Sequence, residues 1–151
     1  MDIIISQIEE TEFNKLNIPI LFSDAKTNRC YGIISNHNYS YRFSWQSDVV
    51  KPNITEVKNG IYAIGIDQNL SIIDFNINSI TCSLELTYFF YDTKIFDNFI
   101  YIITELEIIK IDIIAFKIIK EYELPDVFKE MVFANNKVRV QCLDDNIIYL
   151  S

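Results

Sequence analysis

Glycine is scarce in this chain, with three in 151 residues, at positions 32, 60 and 65. Neither a phosphate-cradling loop nor a dinucleotide fingerprint can be written from glycines so few and so far apart, so nucleotide chemistry of those types is excluded. Histidine is scarcer still: His37 is the only one. It sits in the polar run Asn36-His37-Asn38 and reads as a solvated turn residue, with no second imidazole to build a zinc site. A nucleophile triad needs a base beside a Ser or Cys, and no Gly-x-Ser-x-Gly is present to go with that one imidazole. Cys30, Cys82 and Cys142 are odd in number and include no CxxC pair. They read as reduced, buried small hydrophobes, so neither a disulfide frame nor a metal is expected, and no cofactor is implied.

Cations are also short. Thirteen Lys and Arg stand against 21 Asp and Glu, a net charge of −8. Nucleic acid and anionic membrane both select a basic footprint, and this chain has the opposite balance. Long apolar runs are missing as well, since Ile108 to Ile119 is interrupted by Lys110, Asp112 and Lys117 and falls short of the ~20 residues a spanning helix needs. The first ten residues carry no basic segment ahead of an apolar one, so a cytoplasmic protein without a secretory leader is expected.

What is abundant points to strands. The chain has 29 Ile, 11 Phe and 9 Tyr against 4 Ala, a mixture rich in β-branched and aromatic residues and poor in strong helix formers. Fourteen Asn lie mostly between the apolar runs, where they supply the left-handed turn conformations that glycine would otherwise provide.

The runs repeat. Asn59-Gly60-Ile61-Tyr62-Ala63-Ile64, Ile72-Ile73-Asp74-Phe75 and Leu84-Glu85-Leu86 recur as Asn98-Phe99-Ile100-Tyr101-Ile102-Ile103, Lys110-Ile111-Asp112-Ile113 and Tyr122-Glu123-Leu124. Aligned in this way the offsets are 39, 38 and 38, which places an indel in the middle turn. A truncated copy follows at Asn136 to Val140 and Asn146 to Leu150, and a weaker one precedes at Arg29 to Ile34 and Tyr39 to Phe43. Each copy reads as four short antiparallel strands. In the third copy these are Thr93 to Phe96, Phe99 to Thr104, Glu107 to Asp112 and Lys117 to Leu124. Asp97-Asn98 and Ile113 to Phe116 serve as turns. Asp74 and Asp112 hold equivalent places, which suits a carboxylate that caps the turn after it.

Ile61-Tyr62 with Ile73-Asp74, and Ile100-Tyr101 with Ile111-Asp112, resemble the repeats of β-propeller blades. The resemblance implies an all-β chain of about four antiparallel four-stranded units of about 38 residues, a small or partial propeller in one domain over residues 1–151. A β-sandwich or barrel is the alternative architecture. The last unit has only three strands, and the apolar run Asp2 to Ile8 is expected to supply the fourth.

Blade topology sorts the charges. One end of the strands collects Asp67, Asp92, Glu105, Asp126, Asp144 and Asp145, together with the aromatic run Tyr88-Phe89-Phe90-Tyr91 and Phe128. The other end holds Lys26, Arg29, Lys58, Lys117 and Lys137. The carboxylate pairs Glu105 with Glu107 and Glu121 with Glu123 alternate along strands and read as solvent-facing stripes, so catalysis is not expected. The acidic, aromatic-edged end suits a basic protein partner, with Asp67, Asp92, Glu105, Asp126, Asp144, Asp145, Tyr88 and Tyr91 as candidate contacts for a monomer or small oligomer. In type alone, a small, acidic chain without catalytic residues resembles the bacterial immunity proteins that mask a basic toxin such as a nuclease. Two other readings are a glycan-binding or glycan-acting protein that uses Trp45 or the tyrosines as a stacking platform, and a scaffold that self-associates to complete its sheets.

Overall fold

A computed structural model describes residues 2–23 and 29–151. The chain forms two compact units, Met1–Glu85 and Leu86–Ser151. In the first unit, β1 (Ile4–Ile8), β2 (Cys30–Ser35) and β3 (Ser40–Trp45) make a three-stranded sheet. Next come β4 (Asn53–Lys58), β5 (Ile61–Ile66), β6 (Asn69–Asp74) and β7 (Ser79–Glu85), a four-stranded meander. In the second unit, β8 (Phe90–Phe96), β9 (Phe99–Thr104), β10 (Glu107–Asp112) and β11 (Ile118–Glu123) form another four-stranded meander. The chain finishes with β12 (Phe128–Ala134), β13 (Lys137–Cys142) and β14 (Ile147–Leu150) in a three-stranded sheet. All of these pairings are antiparallel. The four sheets are separate and none closes into a barrel.

The turns follow from side-chain chemistry. Among the described residues, eight other than glycine adopt the left-handed region, and seven of them are Asn or Asp: Asp67, Asn78, Asp97, Asn98, Asn135, Asn136 and Asp145. Their short polar side chains tolerate a conformation that costs most L-residues about 1–2 kcal/mol. Phe116, at φ 55°, is the eighth. It lies in the turn between β10 and β11, where Asp112 holds the backbone by accepting hydrogen bonds from the amides of Ile114 and Ala115. Asp74 does the same for Asn76 at 2.9 Å, so both repeated aspartates cap the turns that follow them.

The repeat differs in one respect from its reading in the sequence. Strand β9 begins 38 residues after β5, β10 begins 38 after β6, and β13 begins 38 after β9. The turn Asn59-Gly60 therefore matches Asp97-Asn98, and no indel is needed. Aligning Tyr62 with Tyr101 slips β5 by one residue, and a one-residue slip reverses every side chain. The structural partner of Tyr101 is Ala63, and that of Tyr62 is Ile100.

Side chains on alternate strand positions build the core of each unit. In the first, Ile34, Tyr41, Phe43 and Trp45 pack against Tyr62, Ile64, Ile66, Ile73 and Phe75. In the second, Tyr101, Ile103, Ile108 and Leu124 pack against Val138, Val140 and Cys142. The short helix α1 (Glu10–Lys15) places Phe13 against the ring of Tyr31 at 5.1 Å, with Arg42 stacked over it.

The N-terminal strand does not complete the last sheet. It pairs along its length with β2, Ser6 opposite Ile33 and Gln7 opposite Gly32, so the expected placement of Asp2 to Ile8 is corrected. Gly32 makes this packing possible. A Cβ there would lie 3.0 Å from the Trp45 ring, 3.1 Å from Phe43 and 3.3 Å from the Ser6 carbonyl oxygen.

Candidate functional site

The acidic end of the second unit is held together by three backbone hydrogen bonds. The Glu105 amide donates to the Phe89 carbonyl at 2.9 Å, the Phe128 amide donates to the Glu105 carbonyl at 2.9 Å, and the Leu143 amide donates to the Val127 carbonyl at 2.8 Å. These bonds bring the chain before β8, the β9–β10 turn, the β11–β12 connection and the β13–β14 turn to one place. Glu105, Asp126, Asp144 and Asp145 therefore share one end of the unit, as the blade topology required.

An apolar surface lies among these acids. Phe89 is 52% exposed, Tyr91 44% and Leu143 59%, and the half-buried ring of Phe128 meets Tyr91 edge-on at 6.3 Å. A β-bulge is responsible for presenting Tyr91. Phe90 pairs with Thr104 and Asp92 with Ile103, which leaves Tyr91 as the extra residue, and bulges of this kind re-aim a side chain. The same device recurs in β12, where Lys129 is the extra residue between Phe128 and Glu130. Its ammonium lies 3.8 Å from Asp145, an exposed pair, while Glu105, Asp126 and Asp144 form no ion pair among the described residues. Asp144 is occupied locally and accepts from the backbone amide of Asn146 at 3.1 Å. Tyr88 is half-buried in the connection ahead of β8.

Two of the candidate contacts have other employment. Asp92 is tied to its neighbours, accepting from the Thr93 amide at 2.8 Å and pairing with Lys94 at 3.3 Å. Asp67 belongs to the first unit, where its carboxylate accepts from the amides of Gln46 at 2.7 Å and Ser47 at 3.3 Å. It thereby links the β5–β6 turn to the connection after β3. Of the cations expected at the opposite end, Lys26 lies outside the described residues, while Lys117 and Lys137 flank the turns at the far ends of β8 to β13. Leu143 and the bulge at Tyr91 were missed in the sequence. An exposed Leu in the turn Leu143-Asp144-Asp145 was the available signal for the first; the second depends on pairing and had none.

The remaining reactive groups are structural. Trp45, the only tryptophan, is 5% exposed and stacks on Phe43 at 5.2 Å, so it is core and not a sugar platform. His37 is exposed in a turn held by Asn36, whose side-chain oxygen accepts from the amides of Asn38 and Tyr39. Cys30 and Cys142 are buried and Cys82 half-buried, all three free, and burial pushes each thiol above its usual pKa, away from reactive thiolate character. Burial and then Glu121 and Glu123 raise the Glu107 carboxyl. Glu107 faces Glu123 across the β10–β11 pair.

No protein-family model and no curated protein matches the sequence. Solved structures do match its fold. The computationally designed Ika4 protein aligns with TM-score 0.54 and 13% identity over 91% of this chain and 94% of its own. The designed Ika8 protein aligns with TM-score 0.54 and 14% identity over 79% of this chain and 39% of its own. Saccharomyces cerevisiae Sqt1 gives TM-score 0.54 and 12% identity over 85% and 43%. The fold is propeller-like. Its four sheets are blade sheets, two with four strands and two with three. The chain spans 39% of Ika8 and 43% of Sqt1, so it accounts for well under two thirds of either. At these identities the likeness concerns the blade fold alone.

Proposed function

We propose that this propeller-like chain is a non-enzymatic protein-binding module that works in the cytoplasm, and that the acidic end of its second unit takes a basic protein partner. One observation carries the reading: Glu105, Asp126, Asp144 and Asp145 surround an exposed apolar surface of Phe89, Tyr91 and Leu143. Exposed aromatic and aliphatic side chains anchor interfaces, while surrounding charge selects the partner and speeds its approach. The net charge of −8 extends that selection to long range.

The finer form of the proposal is an inhibitor of the immunity type, in which this end covers the cationic substrate site of a toxin such as a nuclease. Acidity and the scarcity of catalytic residue types support it. The test is retention of the neighbouring gene's product, or of a basic protein from lysate, on the immobilised chain at low and high salt. The decisive variant is Asp144→Lys with Asp145→Asn, Asn being chosen because residue 145 sits at φ 68°. A basic protein that is released by salt and lost in this variant supports the reading. Equal retention by the variant, or retention indifferent to salt, refutes it.

A further inference from the structure

A pocket of different character lies in the first unit, between β1 and the start of β4. Alternation along β1 turns Ile5 and Gln7 to one face, and Ile5 packs against the core of the unit. The register sets Gln7 opposite Gly32, Gly32 opposite Phe43, and Cys30 opposite Trp45 in the next row. Gly32 has no side chain to fill its place, so the Trp45 ring leans over it from the neighbouring row. On the other side Ile54 of β4 packs on the same core.

The pocket so formed has a volume of about 440 Å³ and is lined by Ile5, Gln7, Trp45, Lys51, Pro52 and Ile54. That is the size of a small-molecule site, for which about 300–1,000 Å³ is usual. Its lining has two parts. Trp45 is buried and Ile5, Pro52 and Ile54 are half-buried, which makes an apolar wall. Gln7 and Lys51 are exposed, and among the described residues neither side chain has a hydrogen-bond or ion-pair partner. Both can donate, Lys51 through its ammonium and Gln7 through its amide nitrogen. No Asp or Glu lines the pocket, in a chain that sets 21 acids against 13 cations.

The segment that carries Lys51 is fixed before any ligand arrives. The amides of Gln46 and Ser47 donate to Asp67. The Ser47 hydroxyl oxygen then accepts from the amides of Val49 at 3.3 Å and Val50 at 2.9 Å. Pro52 restricts the backbone where the segment enters β4. A wall arranged in advance lowers the ordering cost of binding.

We infer that this pocket binds a small monocarboxylate with a branched or cyclic apolar body. The body lies against Trp45, Ile5, Ile54 and Pro52, where burial of its apolar surface supplies affinity. The carboxylate stays at the mouth and accepts a charge-assisted hydrogen bond from Lys51 and a second hydrogen bond from Gln7. An amine of the same shape meets the Lys51 ammonium as a like charge and is rejected. The site is independent of the acidic end of the second unit, which selects the opposite charge.

The test titrates the full chain with cyclohexylacetate, its neutral amide and the matching amine, 2-cyclohexylethylamine. None absorbs where tryptophan does, and Trp45 is the only tryptophan, so its emission reports the pocket. Titration calorimetry gives a second reading. The acid is expected to bind with a dissociation constant of about 0.1–1 mM, as a ligand of about ten heavy atoms allows. The amide and the amine are expected to bind at least about tenfold more weakly. Lys51→Gln is expected to weaken the acid at least about tenfold and to leave the amide within about twofold. Gln7→Glu sets a carboxylate at the mouth and is expected to weaken the acid by as much. Both positions are exposed, and circular dichroism establishes that each variant is folded. Three outcomes overturn the proposal: no saturable response to the acid in either emission or heat up to about 10 mM, equal binding of all three ligands, or unchanged acid affinity in Lys51→Gln.

Discussion

The role of Asp67 separates a structural carboxylate from a binding one. Its Oδ2 accepts from the Gln46 amide at 2.7 Å and the Ser47 amide at 3.3 Å, and its backbone sits at φ 53°. A hydrogen bond to an ionised acceptor contributes about 1.5–3 kcal/mol net. Gln46 is exposed, so its freed amide is rehydrated, and one short bond plus one long one together contribute about 2 kcal/mol by that scale. Asp67→Gly removes both bonds without backbone strain and is expected to cost about 2 kcal/mol. Asp67→Ala adds about 1 kcal/mol for a Cβ in the left-handed region. Asp67→Asn keeps a neutral acceptor and the turn preference, so about 1 kcal/mol is expected. Urea unfolding followed by Trp45 emission reads this directly, because Trp45 adjoins Gln46 and is the only tryptophan. With a slope of about 2 kcal/mol per molar, Asp67→Ala moves the midpoint down by about 1.5 M. An Ala curve that overlays the wild type, or Gly and Ala variants with one midpoint, refutes the reasoning. Retained partner binding by Asp67→Asn would place this acid outside the contact surface.

Two further outcomes follow from other sites. The Tyr62 hydroxyl donates to Glu56 at 2.7 Å, and that bond, ahead of burial, pushes the phenol up to about 12 from its ordinary 10. The folded state keeps a proton that the unfolded state has released, so this stabilisation is complete below pH 10 and is lost as the pH rises through about 12. Alkaline denaturation is therefore expected in that window, and Glu56→Gln should shift the late phenolate absorbance step to lower pH; an unmoved step sinks the assignment. In the second unit the hydroxyl of Thr93, 4% exposed, makes no hydrogen bond among the described residues. Thr93→Val is expected to raise stability by about 1 kcal/mol, or roughly 2–4 °C in melting temperature, and a lower melting temperature contradicts it.

Much of the candidate site was legible because it depends on turn position. Once strands and turns are placed, alternation of direction sends every second turn to one end, and Glu105, Asp126, Asp144 and Asp145 fall together as a consequence. The separation of Asp67 from that group was not legible. Its carboxylate is spent on two amides twenty residues away in the chain, and nothing local to the Asp67-Gln68 turn reports them.

Local chemistry in the sequence determined the strand class, the turn site at Asp97-Asn98, the capping by Asp74 and Asp112, and the bounds of β9 and β10. Each depends on residues within a few positions of one another, so composition and spacing suffice. Tertiary structure decided the register that aligns Ala63 rather than Tyr62 with Tyr101, the docking of β1 on β2, the left-handed Phe116 and the bulge that turns Tyr91 outward. These outcomes are set by which buried faces meet across strands far apart in the chain, where a shift of one residue exchanges the core face for the solvent face.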